Sequence, residues 1–427
     1  MEVATAPERN QTELGVIAFG WTAQRISELA ECFSGGTPNT SVREYYGGAI
    51  PWITSGDLNA VRIRDVEGRI TKLGLANSSA KMVEAGDLLI ALYGATAGVA
   101  ARTQIPAAIN QAILAIKPSK ILNTEFLFQY LRFQKQAYLD TYLQGGQPNL
   151  SGEIVKSFLI PVPALCEQEA IAEVLSNADA YIESMEKLLA KKRAIMQGAM
   201  QELLTGTRRL PGFEKMPGWK STEVGSIPRD WIVVEAKQLG NFRGGTGFPL
   251  SYQGATSGAY PFFKVSDMNN DGNETFMRTS NNYISETQRK LLGAPTFAPG
   301  TIVLAKVGAA VFLERKRILS QTSCLDNNMA GFTLFDGSAD HRFVHFLFRN
   351  TRFGDLVSTT ALPALNGSVL SAMKLIVPSD LQEQSAISSA LSDMDDEVAA
   401  INDHLAKACN IKQGMMQQLL TGKVRLV

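Results

Sequence analysis

The chain has 427 residues, with 41 Lys and Arg against 41 Asp and Glu and an apolar share of 45%. That apolar share supports hydrophobic cores and excludes global disorder, and the length allows two to four structural units at roughly 100–200 residues each. The formal net charge of +0 excludes a uniformly basic surface, so any nucleic-acid-binding face is local and balanced by acid elsewhere.

The N-terminal segment MEVATAPERNQTELG lacks a basic-then-apolar signal pattern. It leads into TELGVIAFGW, ending at Trp21, and then SGGTP at 34–38 and IPWITSGDLN, which carries Pro51, Asp57 and Asn59. Short β-rich runs follow, among them DLLIAL, which opens into the Gly-rich turn YGATAG at 93–98. The stretch 88–101 is the most apolar in the chain and is too short to span a bilayer. INQA at 109–112 precedes a helical run, TEFLFQYLRFQ. Pro161 and Pro163 then mark the start of a long uninterrupted helix, and Gly206 suits its stop.

After this helix the chain repeats itself. TEVGSIPRDW ends at Trp231, about 210 residues after Trp21. RGGTG at 243–247, YPFFKVSDMN with Asp267 and Asn269, GTIVLAKVGA, DNNMA and the helical run FVHFLFRN follow in the same order. Pro378 precedes a second long helix, whose opening EQSAISSALSDMD matches EQEAIAEVLSNAD, and Gly422 closes it. The copies agree best at their ends and least in the middle, as expected of two similar scaffolds carrying different surfaces.

Both long helices show a heptad seam. In the first it runs through Ile171, Leu175, Ala178, Ile182, Met185, Leu189, Met196, Ala199 and Leu203, interrupted by Lys192. In the second it runs through Ile387, Leu391, Met394, Val398, Ile401, Leu405, Ala408, Met415 and Leu419, interrupted by Lys412. Spacing of 3 and 4 over about five heptads predicts a coiled coil, and the simplest partner for each helix is the other. A helix of roughly 37 residues is about 55 Å long. The alternative is that each helix packs on its own neighbouring domain. Lys192 and Lys412 either snorkel at the seam edge or help set register.

Catalytic signatures are missing. His341 and His345 stand four apart, but Arg342 occupies the place of the Glu that a zinc protease needs. Asp230, Glu235 and Lys237 look like a fragment of a nuclease cluster but crowd a turn. YGATAG lacks a following Lys-Ser/Thr, and there is no Rossmann fingerprint. Cys32, Cys166, Cys324 and Cys409 form no CxxC pair, so neither a disulfide framework nor a zinc knot is expected, and a cytoplasmic setting fits.

The ordered, duplicated set TEVGSIPRDW, GGTP, IPWITSGDL, GDLLIALYGATAG, INQAI, QPNLS with LIPVPALCEQEAIAEVL, and LLTGTRRL resembles the specificity subunits of type I restriction-modification systems. The second copy departs where QPNLS at 147–151 becomes LPALNGS at 362–368 and YGATAG becomes VGAAVF. The resemblance implies an α+β fold with two related target-recognition domains, at 1–165 and 210–380. Two spacer helices, at 166–209 and 381–427, join them as an antiparallel coiled coil in a pseudo-twofold arrangement. It implies a non-catalytic chain that reads double-stranded DNA, one half-site per domain, and that docks two methyltransferase subunits and motor-endonuclease subunits. S-adenosylmethionine, ATP and Mg²⁺ then belong to the partners, no metal or cofactor belongs to this chain, and no membrane is involved. A bivalent protein-binding scaffold is the alternative.

Phosphate contacts draw on Arg, Lys and backbone N–H groups, and base contacts on Arg, Lys, Asn, Gln, Ser or Thr. Candidates in the first domain are Thr37, Thr54, Ser55, Arg62, Arg64, Tyr93, Thr96, Arg102, Gln147 and Asn149. In the second they are Arg243, Thr246, Lys264, Ser266, Lys306, Arg315, Lys316 and Arg317. Trp52, Phe262 and Phe263 read as core side chains rather than base-stacking ones.

Overall fold

The fully apolar strand Leu88–Ala91 sits third in a five-stranded sheet ordered Ala30–Ser34, Ile113–Pro118, Leu88–Ala91, Ala100–Thr103, Arg62–Ile63. This is a computed structural model, and it describes residues 9–142, 149–357 and 363–426. The strand lacks polar alternation because both its faces are covered. Leu88 and Ile90 face the helix Thr124–Tyr142 through Phe126, Leu127 and Leu131. Leu89 and Ala91 face a second, four-stranded sheet through Ile53, Val83 and Ile109.

The second repeat rebuilds this plan. Its five-stranded sheet is ordered Gly240–Gly244, Met329–Leu334, Ile302–Ala305, Lys316–Leu319, Phe276–Met277. Ile302, Leu304 and Phe332 face the helix His341–Asn350, while Val303 and Leu325 join Phe263 on the other side. Phe262 and Phe263 are buried, as expected, and Trp52 is half-buried.

The two long helices span Leu165–Thr205 and Leu381–Leu419. Each starts on a buried Gln. The Gln168 side chain donates to Ile121 O and Pro163 O and accepts from Asn123 N–H; Gln384 donates to Pro378 O and accepts from Asp340 N–H. Each stops at a glycine with positive φ, +71° at Gly206 and +67° at Gly422. A Cβ there would stand 2.5 Å from Pro228 Cγ or from Ala18 Cβ, so LLTG serves both a left-handed stop and a close approach.

Compact packing divides the chain inside these helices. Unit 1 comprises the residues up to Lys187 together with those from Asp403 on, and unit 2 is Leu188–Asn402. Each unit therefore contains the first part of its own long helix and the last part of the other. In unit 1, Ile171 and Leu175 share a core with Leu419 and Leu420. In unit 2, Ile387 and Leu391 share one with Met196 and Leu203. The helices run antiparallel in both. Glu167 meets Arg425 and Asp179 meets Lys412 in unit 1; Lys192 meets Glu397 and Arg209 meets Glu383 in unit 2. Every seam position from Ile171 to Leu203 and from Ile387 to Leu419 is buried or half-buried, the two lysines included. The expected coiled coil forms. The alternative, packing on the helix's own domain, also holds for the first turns of each helix, because the seam continues into the domain core.

A matched lock closes each unit. Trp21 Nε1–H donates to Glu167 (3.0 Å), on which Arg425 also converges. Trp231 Nε1–H donates to Glu383 (3.2 Å), on which Arg209 converges while also binding Asp230 (2.8 Å). Asp230 is thereby held below the usual carboxylate range, mainly by its hydrogen bond from Arg209.

Candidate nucleic-acid interface

Loops gather at one end of each central sheet. In unit 1 the chain leaving Ala30–Ser34 presses Gly35 against the backbone of Ile109, and a Cβ would stand 1.9 Å from the Ile109 carbonyl oxygen. Gly245 meets Leu325 O in the same way, at 2.2 Å. The GGT signature is thus a close-approach device. Gly36 N–H donates to Ile109 O (3.1 Å), Asn110 N–H to Ile53 O (3.2 Å), Leu92 N–H to Ala112 O (2.8 Å) and Leu150 N–H to Leu92 O (2.7 Å). Tyr93 and Asn149 form a bridge, and the Thr37 hydroxyl bonds to Gln111. Thr54 opens a short turn closed by Asp57, which accepts from Thr54 N–H (2.7 Å) and from its hydroxyl (2.8 Å). These contacts bring Thr37, Thr54, Ser55, Tyr93, Thr96 and Asn149 to one end of unit 1.

The matching end of unit 2 is built alike. Thr246 N–H donates to Leu325 O (2.9 Å), Asp326 N–H to Phe263 O (2.8 Å), Lys306 N–H to Asn328 O (2.9 Å) and Leu365 N–H to Lys306 O (2.8 Å). Lys264 stands where Thr54 does, with its N–H on Asp267 (2.7 Å) and its amine on Gln253 (3.0 Å). Asp267 is buried, and that burial pushes its carboxyl above the ordinary range. Ser266 is exposed beside it. Lys306 follows the strand Ile302–Ala305 directly. Arg243 is the penultimate residue of its strand, with its guanidinium 4.5 Å from the centre of the Phe297 ring and bonded to Thr296 O. Arg315 bonds to Asn269.

Five of the anticipated cations are placed otherwise. Arg62 and Arg102 lie at the far end of the unit 1 sheet, both bonded to Glu125. Burial pushes the Glu125 carboxyl up, but hydrogen bonds from Arg62 and Arg102 override it and hold the group low. Arg64 pairs with Glu183 on the long helix at 2.8 Å. Lys316 is 2% exposed, with its amine on Glu314 and Thr351 O, and burial lowers its pKa. Arg317 has a buried Nε with no partner among the described residues. Arg62, Arg102 and Lys316 are ion-paired inside the fold and Arg64 on the helix, while Arg317 is half-buried with no carboxylate partner among the described residues. Gln147 lies outside the described residues. Gln111, Gln253 and Asn328 were not anticipated; the parallel between INQA and DNNMA was the signal that pointed to two of them.

The loop ends offer hydroxyls, amides and, in unit 2, two ammonium groups, which suits hydrogen bonding to base edges and phosphates. The other clusters singled out in the sequence are structural. Asp230 serves the Arg209 lock, and Glu235 pairs with Lys237 and Lys374. His345 is buried against Lys316 O, and burial lowers its pKa to about 4. Among the described residues no group of three His, Cys, Asp or Glu could share a metal ion, and no helix is long and apolar enough to cross a membrane.

Comparison with known proteins is consistent across the chain. The family model for the type I restriction modification DNA specificity domain matches twice, at residues 19–191 and 228–408. The MjaVIII specificity subunit of Methanocaldococcus jannaschii is 24% identical over 415 residues, which is 95% of this chain and 93% of that protein. The MjaIX specificity subunit of the same organism is 25% identical, covering 87% of this chain and 86% of that protein. The solved S subunit from M. genitalium shares the fold with a TM-score of 0.62 at 14% identity, over 97% of this chain and 99% of that one. A second structure, from work on complex assembly and conformational transition of the type I R-M system, gives 0.54 at 17% identity, over 96% and 99%.

Proposed function

The chain belongs to the type I restriction modification DNA specificity family, and on that premise we propose that each unit reads one half of a bipartite, asymmetric duplex site. One observation carries this reading. Equivalent sheet ends carry unlike side chains at matched positions: Thr54 against Lys264, exposed Tyr93 against Val307, and Lys306 where unit 1 buries Leu92 in its core. A common frame with exchanged end groups is what two different readers require. The paired helices set the base-pair spacing between half-sites and dock two methyltransferase subunits, with motor-endonuclease subunits joining for cleavage. Ile195 and Ile411 occupy matching places in the two helices and are 47% and 54% exposed, which supports two like docking faces. The chain itself carries no catalytic centre; S-adenosylmethionine, ATP and Mg²⁺ act on the partners.

The test is an exchange. Residues 12–160 are replaced by the corresponding segment of another specificity subunit, and the N6-methyladenine motif written by the assembled methyltransferase is mapped. One half of the motif changes and the other stays. A change in both halves, or in neither, rejects the reading. Gel shifts of the assembled complex over a salt series separate it from a protein scaffold, because phosphate contacts weaken steeply as salt rises.

A further inference from the structure

At the sheet end far from the loops, the two units differ in charge. In unit 1 this place is closed by ion pairs: Arg62 and Arg102 on Glu125, and Lys117 on Asp87 at 3.3 Å. Strand register identifies the counterparts in unit 2. Phe276 pairs with Ile318 as Arg62 pairs with Arg102, so Phe276 and Ile318 replace the two arginines. Thr301 and Thr333 replace Asp87 and Lys117 and bond to each other at 3.0 Å. Glu125, second residue of its helix, becomes Arg342, second residue of the matching one. Unit 2 has lost the carboxylate and gained a cation.

The result is an open cavity of about 690 Å³ lined by Arg278, Arg342, His341, Phe276 and the two threonines, with Asp336 the one carboxylate on its wall. Both guanidiniums lie 5.6 Å from the centre of the Phe276 ring. Neither has a carboxylate within 4.0 Å among the described residues, whereas Arg62 and Arg102 both do. Phe335, on the rim, is 51% exposed.

We infer that this cavity binds a phosphate-bearing ligand of nucleotide size, whose anion supplies the negative charge that unit 1 carries on Glu125. Two guanidiniums and an imidazole match a tetrahedral oxyanion. The volume falls within the range of small-molecule pockets and exceeds what a bare phosphate fills. The exposed rim of Phe335 suits the flat face of a base. The site lies apart from the loop end assigned to sequence reading and does not depend on that assignment. The phosphate comes either from a free nucleotide or from a DNA strand.

Calorimetric titration of the full chain with AMP and with inorganic phosphate, against chloride at equal ionic strength, tests the inference. Saturable binding is expected, tighter for AMP, and reduced at least tenfold in Arg342→Glu, which installs unit 1's residue. Arg278→Ala is the second variant, and the thermal melt in chloride certifies that both fold. Displacement of AMP by a duplex assigns the phosphate to DNA; no displacement assigns it to a free nucleotide. Absence of saturable binding to phosphate and AMP, or equal binding by wild type and both variants, overturns the inference. Binding of a polyglutamate peptide without any response to phosphate or AMP also overturns it.

Discussion

Lys264 and Lys306 are the charged groups through which unit 2's loop end differs most from unit 1's. Their roles separate experimentally. A lysine on a phosphate, changed to Ala, lowers the slope of log affinity against log salt by about one and leaves base preference alone. A lysine on a guanine edge costs about 1–3 kcal/mol and relaxes one position of the half-site. Lys264, beside a turn closed by Asp267, is expected to behave in the second way, as read by binding to a set of single-base site variants. His345 makes stability depend on pH. Its folded value of about 4 lies below the ordinary 6.5 because burial disfavours the charged ring. The unfolded chain therefore binds a proton that the native one does not between those values. The stability it confers is complete above about pH 6.5 and falls with acidification, by about 3 kcal/mol near pH 4. Urea unfolding of His345→Gln should show a shallower decline from pH 7 to 5; an unchanged slope would contradict the burial argument.

The long helices carry two lysines in their seams that look alike in sequence and differ in setting. Lys192 is 31% exposed and pairs with Glu397, which is 49% exposed. Lys412 is 8% exposed and pairs with Asp179, which also binds Arg132 and Gln129. Burial pushes the Asp179 carboxyl up, but hydrogen bonds from Lys412 and Gln129 and the charge of Arg132 hold it low. Removing Lys192 should cost at most about 1 kcal/mol. Removing Lys412 takes a charged partner from the half-buried Asp179, which keeps Arg132 and Gln129, and empties a buried seam position, so it should cost more, about 1.5–3 kcal/mol. Chemical denaturation of Lys192→Ala and Lys412→Ala compares them directly. Unit 2 meets the same place differently, with Met196 where Lys412 stands and Asp395 paired, among the described residues, to Arg349 alone. The heptad pattern revealed where both lysines lie, but not which of them is buried, because that depends on what the facing helix and the domain helix offer.

Each unit borrows the closing segment of the other repeat. Leu419, Leu420 and Arg425 complete the core and lock of unit 1, while Met196, Leu203 and Arg209 complete unit 2. A fragment ending at residue 209 thus lacks its own closure but carries the equivalent of it, since LLTGTRRL matches LLTGKVRL. Expressed alone, 1–209 should form a dimer in which Arg209 of one copy takes Arg425's place on Glu167 of the other. Light scattering should give twice the fragment mass, and Arg209→Ala should weaken the association. A well-folded monomer would contradict the exchange.

Repetition, heptad period, helix stops and the core status of Phe262 and Phe263 were all readable along the chain, because each depends on residues close together in sequence or on a spacing that hydrophobic burial imposes. The electrostatic roles were not. Arg62, Arg102, Lys316 and Lys264 are indistinguishable as letters, and each sits in a loop or short strand. Glu125, Glu314 and Gln253 decide which are occupied, and strand pairing and helix packing bring those partners in across the fold. A charge is free or spent according to its neighbours in space, and no one-dimensional pattern records those neighbours.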